Sequence, residues 1–404
     1  MVRRSGAEEA VLVGWRSGGG GGGEEAGGGG DGEMVGSMQR CKAKEKIAQS
    51  TILRRNSSNL LLERRDQRSL ARKQYRAKEG RLAAAATVMG IWGWPWGRRG
   101  LSGFGSASTA EDIAAGIDAS HLTAIVTGAT NGIGKETARV LALRGANVII
   151  PARTLESGMK VKESLAEEVP SSKLHVMEMD LSSLDSVRSF AGSFNSSHKH
   201  LNVLINNAGI MACPFHLSKD GIELQFATNH LGHFLLTNLL LDKMKSTAKE
   251  TGVQGRIVNL ASTAHRRSDG SGFDLNKLTT SPSQYNAFAA YAHSKLANIL
   301  HANELSRRFQ EEGCDLTANS LHPGIIGTNI VRYITTNSNI PFVKDIPQGA
   351  ATTCYVALHP DTKGVSGKYF AGCNEATPTP VARDAELAKS LWAFSEELVE
   401  SRSK

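Results

Sequence analysis

At 404 residues, 40% of them apolar and 21% charged, the chain has the material for a sizeable soluble core. No stretch reaches the roughly 20 apolar residues that a membrane-spanning helix needs. The net charge of +8 is not spread evenly: residues 1–88 hold 17 Lys and Arg against 10 Asp and Glu, and the remainder holds 30 against 29. A nearly neutral body without a recognition motif argues against a nucleic-acid role. Cys41, Cys213, Cys314, Cys354 and Cys373 show neither Cys-x-x-Cys spacing nor histidines at metal-ligand spacing, so inert thiols and no metal site are expected.

Residues 1–88 contain the glycine tracts 18–23 and 27–30 and a mixed basic segment from Arg40 to Arg81, which cannot bury a core. A disordered extension is expected there. The Lys, Arg, Ser and Ala after Met34 also fit a targeting sequence, a reading opposed by Glu8, Glu9, Glu24 and Glu25, and Met89 offers an alternative start. Residues 89–118 form a second segment, in which Trp92, Trp94 and Trp96 alternate with Gly and Pro ahead of Arg98 and Arg99. Such rings serve either as a peripheral membrane anchor or as plugs in a groove of the folded domain.

The third region, 119–404, alternates short apolar runs with amphipathic ones. Leu122 to Thr127, Asn147 to Ile150, Lys173 to Glu178, Asn202 to Asn206, Arg256 to Ala261 and Leu316 to Leu321 read as strands. Helices are expected around Thr137, Val161, Val187, Leu235 and Leu296, with a seventh strand at Gly364 to Phe370 and a closing helix at Ala385 to Leu398. That alternation predicts an α/β fold, a single Rossmann-type doubly wound parallel sheet with helices on both faces. In the closing helix, Leu387, Leu391, Trp392 and Leu398 share an apolar face among acidic neighbours, which favours packing onto the domain over a calmodulin-type target.

The first strand runs into Thr127-Gly-Ala-Thr-Asn-Gly-Ile-Gly134 and then a helix. Gly128, Gly132 and Gly134 let the backbone turn tightly and approach a pyrophosphate at the helix N-terminus, so this loop is expected to bind a dinucleotide. Where an NAD enzyme places an acid after the second strand, this chain has Pro151-Ala152-Arg153. A guanidinium there suits a 2′-phosphate, and NADP(H) is the expected cofactor. Lys135 would add positive field or sit on the helix surface.

Tyr291 and Lys295, four apart, share a helix face, so an ammonium can sit beneath a phenol and lower its pKa toward neutrality. Ser262 ends a strand upstream of them. Tyrosine, lysine and serine so arranged point to proton transfer accompanying hydride transfer at a carbonyl. His233, His265 and His293 read as packing or surface histidines, since this chemistry already has its acid.

The Gly128 to Gly134 loop, Asp180-Leu181, Asn206-Asn-Ala-Gly209, Asn229, Ser262, Tyr291-x-x-x-Lys295 and Pro323-Gly324 occur in the order and spacing of the short-chain dehydrogenase/reductases. The resemblance covers about Leu122 to Phe370. Asn206 to Pro214, Phe226 to His233, His322 to Gly324 and Gln348 to Leu358 resemble its retinol-dehydrogenase-like branch, and Met89 onward is similar to plant members attached to the protein translocon of the chloroplast inner envelope. The resemblance implies that Tyr291 is the proton donor or acceptor, that Lys295 holds the nicotinamide ribose, that Ser262 binds the substrate oxygen, and that Asn229 positions a water linking Lys295 to solvent. It also implies cofactor contacts from Asn131, Ile133, Asp180, Leu181, Asn207, Ala208, Gly209, Pro323, Gly324 and Thr328. The implied substrate is an apolar aldehyde, ketone or alcohol. The alternative function is an NADP(H)-binding redox sensor among translocon components, and a homodimer through the Tyr-Lys helix is a further implication. Location would be the stromal side of the chloroplast inner envelope, or else the cytoplasm. Two departures stand out: Ala261 replaces a second serine, and Asn329 to Ile346, which would cover the substrate, is shorter and less apolar than in relatives.

Overall fold

A computed structural model describes residues 99–268, 283, 285–328, 330 and 343–402. The 1–88 extension, the three alternating tryptophans, Cys41 and most of the 329–346 stretch lie outside the described residues.

Among the described residues, eight strands, β1 (Thr123–Val126), β2 (Asn147–Ala152), β3 (Lys173–Glu178), β4 (Val203–Asn206), β5 (Gly255–Leu260), β6 (Leu316–His322), β7 (Tyr369–Ala371) and β8 (Asn374–Ala376), form one sheet. Their order is β3-β2-β1-β4-β5-β6-β7-β8, parallel except for the β7–β8 pair. The first six are those the apolar runs predict; β7 is shorter than the predicted Gly364 to Phe370 strand and the antiparallel β8 is unpredicted, since β7 and β8 are three residues each and joined by the tight turn Gly372-Cys373.

Side chains alternate across the strands and so feed two cores. Ile125, Ile149, Leu204 and Ile257 point into one, whereas Ala124, Val126, Val148, Ile150, Ile205 and Val258 point into the other. Helices α1 (Ala110–Ala114), α2 (Gly132–Leu143) and α3 (Leu155–Glu168), with α8 (Ile346–Leu358), contribute to the second core. Helices α4 (Leu184–Ser197), α6 (Gly232–Thr251), α7 (Ala287–Glu312) and α9 (Ala385–Ser401) cover the first, together with the single turn α5 (Leu224–Phe226). Local chemistry sets their ends. The hydroxyls of Thr154 and Ser183 cap α3 and α4, Asp345 and Gln348 form a capping box on α8, and Gly252 and Gly313 end α6 and α7 in left-handed conformation at φ 66° and 64°.

The order of the sheet reverses between β1 and β4, so the connections leaving those two strands diverge and open a crevice at their carboxyl ends. The N-terminal segment is fastened to the far edge: Asn374 accepts from Ser102 N and donates to Phe104 O, and the Phe104 ring packs edge-on to Tyr355 and His359.

The closing helix packs on the domain, as expected. Trp392 lies against Phe234 at 4.9 Å and under the Arg308 guanidinium at 3.9 Å, and α7, with α9 on its outer side and the sheet behind it, is buried over most of its length. Among the described residues, no helix is long and apolar enough to cross a membrane. Trp392→Ala removes a buried ring and its cation contact and is expected to cost about 3–5 kcal/mol, read as a lowered urea midpoint. A midpoint equal to the parent's would mean that α9 is not an integral part of the core.

Candidate active site

A cleft of about 500 Å³ opens at the crevice. Gly128, Asn131, Gly132, Ile133 and Gly134 form one wall, Arg153, Asp180 and Leu181 one end, Asn207, Ala208 and Gly209 the floor, and Tyr291, Lys295, Pro323 and Thr328 the other end. Gly324 does not line it: at φ 111° it turns the chain beneath the methylenes of Lys344. Lys135 also points elsewhere, donating to Ser164 Oγ at 2.9 Å on the neighbouring helix. The lining further includes Ser157, Ser182, His216 and Thr228, which the sequence reading did not single out; Ser157, one turn past Arg153 at the start of α3, carried the clearest signal.

The glycine loop is built for close approach. A Cβ on Gly134 would lie 2.3 Å from Gly128 O and 2.4 Å from Asn207 Nδ2, and Gly128 and Gly132 hold φ of 66° and 55°. Asn207 locks this wall to the floor, its Nδ2 donating to Thr127 O at 2.7 Å. Burial pushes the Asp180 carboxyl up, but the Ser182 hydroxyl and amide, Lys219 and Arg153 outweigh it and hold the group below its ordinary value. The cleft therefore offers a nucleotide bare backbone N–H groups, a helix N-terminus and a rim cation.

At the other end, Tyr291 and Lys295 are 6% and 3% exposed. The Lys295 ammonium donates to Leu260 O at 2.9 Å and stands 5.7 Å from the Tyr291 ring centre. Burial pushes the Tyr291 phenol up to about 12, against the Ser262 hydroxyl, which pulls it down; burial brings Lys295 down to about 8. The expectation that lysine drives the phenol toward neutrality differs from this balance, because the ammonium is engaged with a carbonyl and desolvation disfavours both charged forms. Ser262 is extended, and its Oγ accepts from Ala264 N at 3.1 Å.

Asn229 lies in a π turn, Ala227–Leu231, between α5 and α6. Its Oδ1 accepts from Ile210 N at 2.8 Å, and its Nδ2 donates to Ile210 O at 3.0 Å and Ser294 Oγ at 2.9 Å. Gly209 packs closely there: a Cβ would meet Asn229 Oδ1 at 3.2 Å and Lys295 Nζ at 3.4 Å, so a larger residue would press on both side chains. His233 and His265 are fully buried and hydrogen-bonded to backbone at this end rather than lying on the surface.

Residues 122–272 match the short chain dehydrogenase family. The chain belongs to the short-chain dehydrogenase/reductases and is an oxidoreductase that works with a nicotinamide cofactor on alcohol and carbonyl groups. It is 55% identical over 319 residues to Short-chain dehydrogenase TIC 32 B, chloroplastic, of Brassica napus, covering 78% of this chain and 99% of that protein. Human Retinol dehydrogenase 13 is 42% identical over 288 residues, 69% of this chain and 84% of that one. Among solved structures, an uncharacterized protein from Mycobacterium paratuberculosis aligns with a TM-score of 0.57 at 35% identity, over 71% of this chain and 97% of the other.

Buried histidines make the fold acid-sensitive. Desolvation brings His230 to about 3 and His233 and His265 to about 4, below an unfolded value of about 6.5. Their contribution is fully present above pH 6.5 and is lost as pH falls through 6.5 toward 4, because the unfolded chain then binds the protons. The expected result is a melting temperature several degrees lower at pH 5 than at pH 7, and a flat profile across that interval would contradict this assignment of the neutral forms.

Proposed function

We propose that the protein interconverts an apolar aldehyde or ketone and its alcohol with NADP(H), with Tyr291 as general acid and base. The observation that carries this reading is the convergence of Tyr291 and Lys295 on the same cleft as the glycine loop, with the Ser262 hydroxyl on the side that pulls the phenol pKa down. The residues fit the cofactor: the Gly134 approach leaves no room for a side chain, and Arg153 stands at the rim with no acid at the end of β2. When bound, NADPH would supply the hydride that reaches the carbonyl carbon. Tyr291 Oη gives its proton to the carbonyl oxygen as that oxygen becomes an alkoxide, and in the reverse direction takes it back. The Ser262 hydroxyl donates to the same oxygen and stabilises its charge. Lys295 would hold the nicotinamide ribose, and Asn229 would link it toward solvent through water. Arg153 would grip the 2′-phosphate, with Ser157 beside it.

A second reading is favoured by the 55% identity to the chloroplastic Brassica protein. Location in the chloroplast, on the stromal side of the inner envelope, would let nucleotide binding report redox state to translocon components. A homodimer through α7 would have to use surface that α9 does not cover.

Titration of the full chain with NADPH and NADH, followed by nicotinamide fluorescence and then by medium-chain and isoprenoid aldehydes, tests the first reading. NADPH should bind more tightly, and Arg153→Asp should remove about 10- to 100-fold of that preference. Tyr291→Phe should lower kcat by about a thousandfold while leaving NADPH binding intact. Binding without turnover on any aldehyde would move the weight to the sensor reading.

A further inference from the structure

Two histidines outside the reacting set hold its backbone. His233 Nδ1 lies 3.1 Å from Asn229 O and its Nε2 2.8 Å from Thr127 Oγ1. His265 Nδ1 lies 2.6 Å from Ser262 O, and its Nε2 3.3 Å from Thr379 N. They are 2% and 0% exposed, and neither lines the cleft.

The partners determine the tautomers. A carbonyl oxygen only accepts, so Nδ1 carries the proton in both rings. An amide N–H only donates, so Nε2 of His265 is bare. Thr127 Oγ1 has two lone pairs and one proton, and the lone pairs take the N–H groups of Asn207 and Ala208, each at 2.9 Å. The hydroxyl proton has two acceptors in reach, His233 Nε2 at 2.8 Å and Ile205 O at 3.3 Å; Ile205 O already takes two backbone N–H groups, so the proton goes to the nearer nitrogen and His233 Nε2 accepts. Each ring has one donor and one acceptor, both spent on structure, which leaves no nitrogen free to act as an acid or base.

We propose that His265 and His233 are positioning residues for the reaction, each donating from Nδ1 to the backbone carbonyl of a reacting residue, Ser262 and Asn229 respectively. The inference rests on the roles given to those two residues above. For Ser262 the hold is nearly complete. Its carbonyl also accepts from His265 N at 3.1 Å, and its hydroxyl accepts from Ala264 N, so the hydroxyl hydrogen is directed away from the turn Thr263–Arg267. The far nitrogen of His265 reaches the segment between β8 and α9. His233 ties the π turn to Thr127, the residue where the glycine loop begins, and through it to the floor at Asn207 and Ala208.

The two positions separate in their kinetics. In the full chain, His265→Leu should lower kcat by about 10- to 100-fold, since a shift of about 1 Å at a reacting group costs that much, with the dissociation constant for NADPH within about twofold of the parent. His265→Asn, whose amide can donate from the Nδ1 position, should recover most of that loss. His233→Leu should lower kcat and also weaken NADPH, because it releases Thr127, whereas His233→Asn should restore kcat more than nucleotide affinity. The proposal is overturned if His265→Leu turns over at the parent rate per NADPH-binding site, or if His265→Asn is no better than His265→Leu. Ser262→Ala serves as the control. Turnover surviving that change would sink the reading of the site itself, whereas its loss alongside an active His265→Leu would sink only the role of the histidine.

Discussion

Three parts of the site meet at one oxygen. Thr127 Oγ1 receives the amides of Asn207 and Ala208 and faces His233, so the end of β1, the loop after β4 and the helix after the π turn are held in a single hydrogen-bonded joint. The joint lies at the switch point of the sheet, where neighbouring connections run apart and would otherwise be free to move independently. Because Thr127 is fully buried, any slackening leaves an unpaired polar group in a dry interior, at a cost of about 1–3 kcal/mol. The glycines on one side of the joint and Asn229 on the other take their positions from it.

The same economy of buried polar groups governs the reacting end. Leu260 O accepts from both Lys295 Nζ at 2.9 Å and Asn298 Nδ2 at 3.0 Å, which occupies both of its lone pairs. Even so, burial takes Lys295 from its ordinary value down to about 8, a destabilisation of the charged form on the order of 3 kcal/mol. Tyr291 is driven the other way, up to about 12. An ammonium brought close to deprotonation beside a phenol that strongly retains its proton is a poor arrangement for stability. It suits proton transfer to an oxygen that becomes basic only during reaction, where a neutral phenol is the required form.

Much of this was legible in the sequence, for identifiable reasons. The six long strands are apolar runs bounded by turns, and the dinucleotide loop is recognisable because its glycines follow a strand and open a helix. The reading faltered where the signal was short or three-dimensional. A three-residue antiparallel strand has no period to detect, and α1, although it carries a Thr109/Asp112 capping box, is a helix of five residues. The π turn around Asn229 leaves no pattern in the residues themselves. His233 and His265 resemble any other histidine in sequence; what distinguishes them is the partner of the far nitrogen, Thr127 Oγ1 for His233 and Thr379 N for His265, and both partners lie more than a hundred positions away in the chain.

The two halves of the cleft differ in how firmly they are held. The cofactor half is bounded by strand ends and helix starts, whereas the floor beyond Ile210 passes through Ala212 at φ 52°, a left-handed conformation that costs a non-glycine residue about 1–2 kcal/mol. That strain persists because Gln225 overrides it. The Gln225 Oε1 accepts from Ala212 N at 2.8 Å, while its Nε2 donates to Tyr285 Oη at 2.6 Å and Ala287 O at 2.9 Å. Tyr285 in turn donates to Cys213 O at 3.0 Å. Gln225 sits in α5, the single turn that runs into the π turn carrying Asn229, and Ala287 opens the helix that carries Tyr291. The loop containing Cys213 is thus fastened to the turn that leads into Asn229 and to the helix that carries Tyr291. Changes in the shape of that loop must therefore pass through the elements on which proton transfer depends.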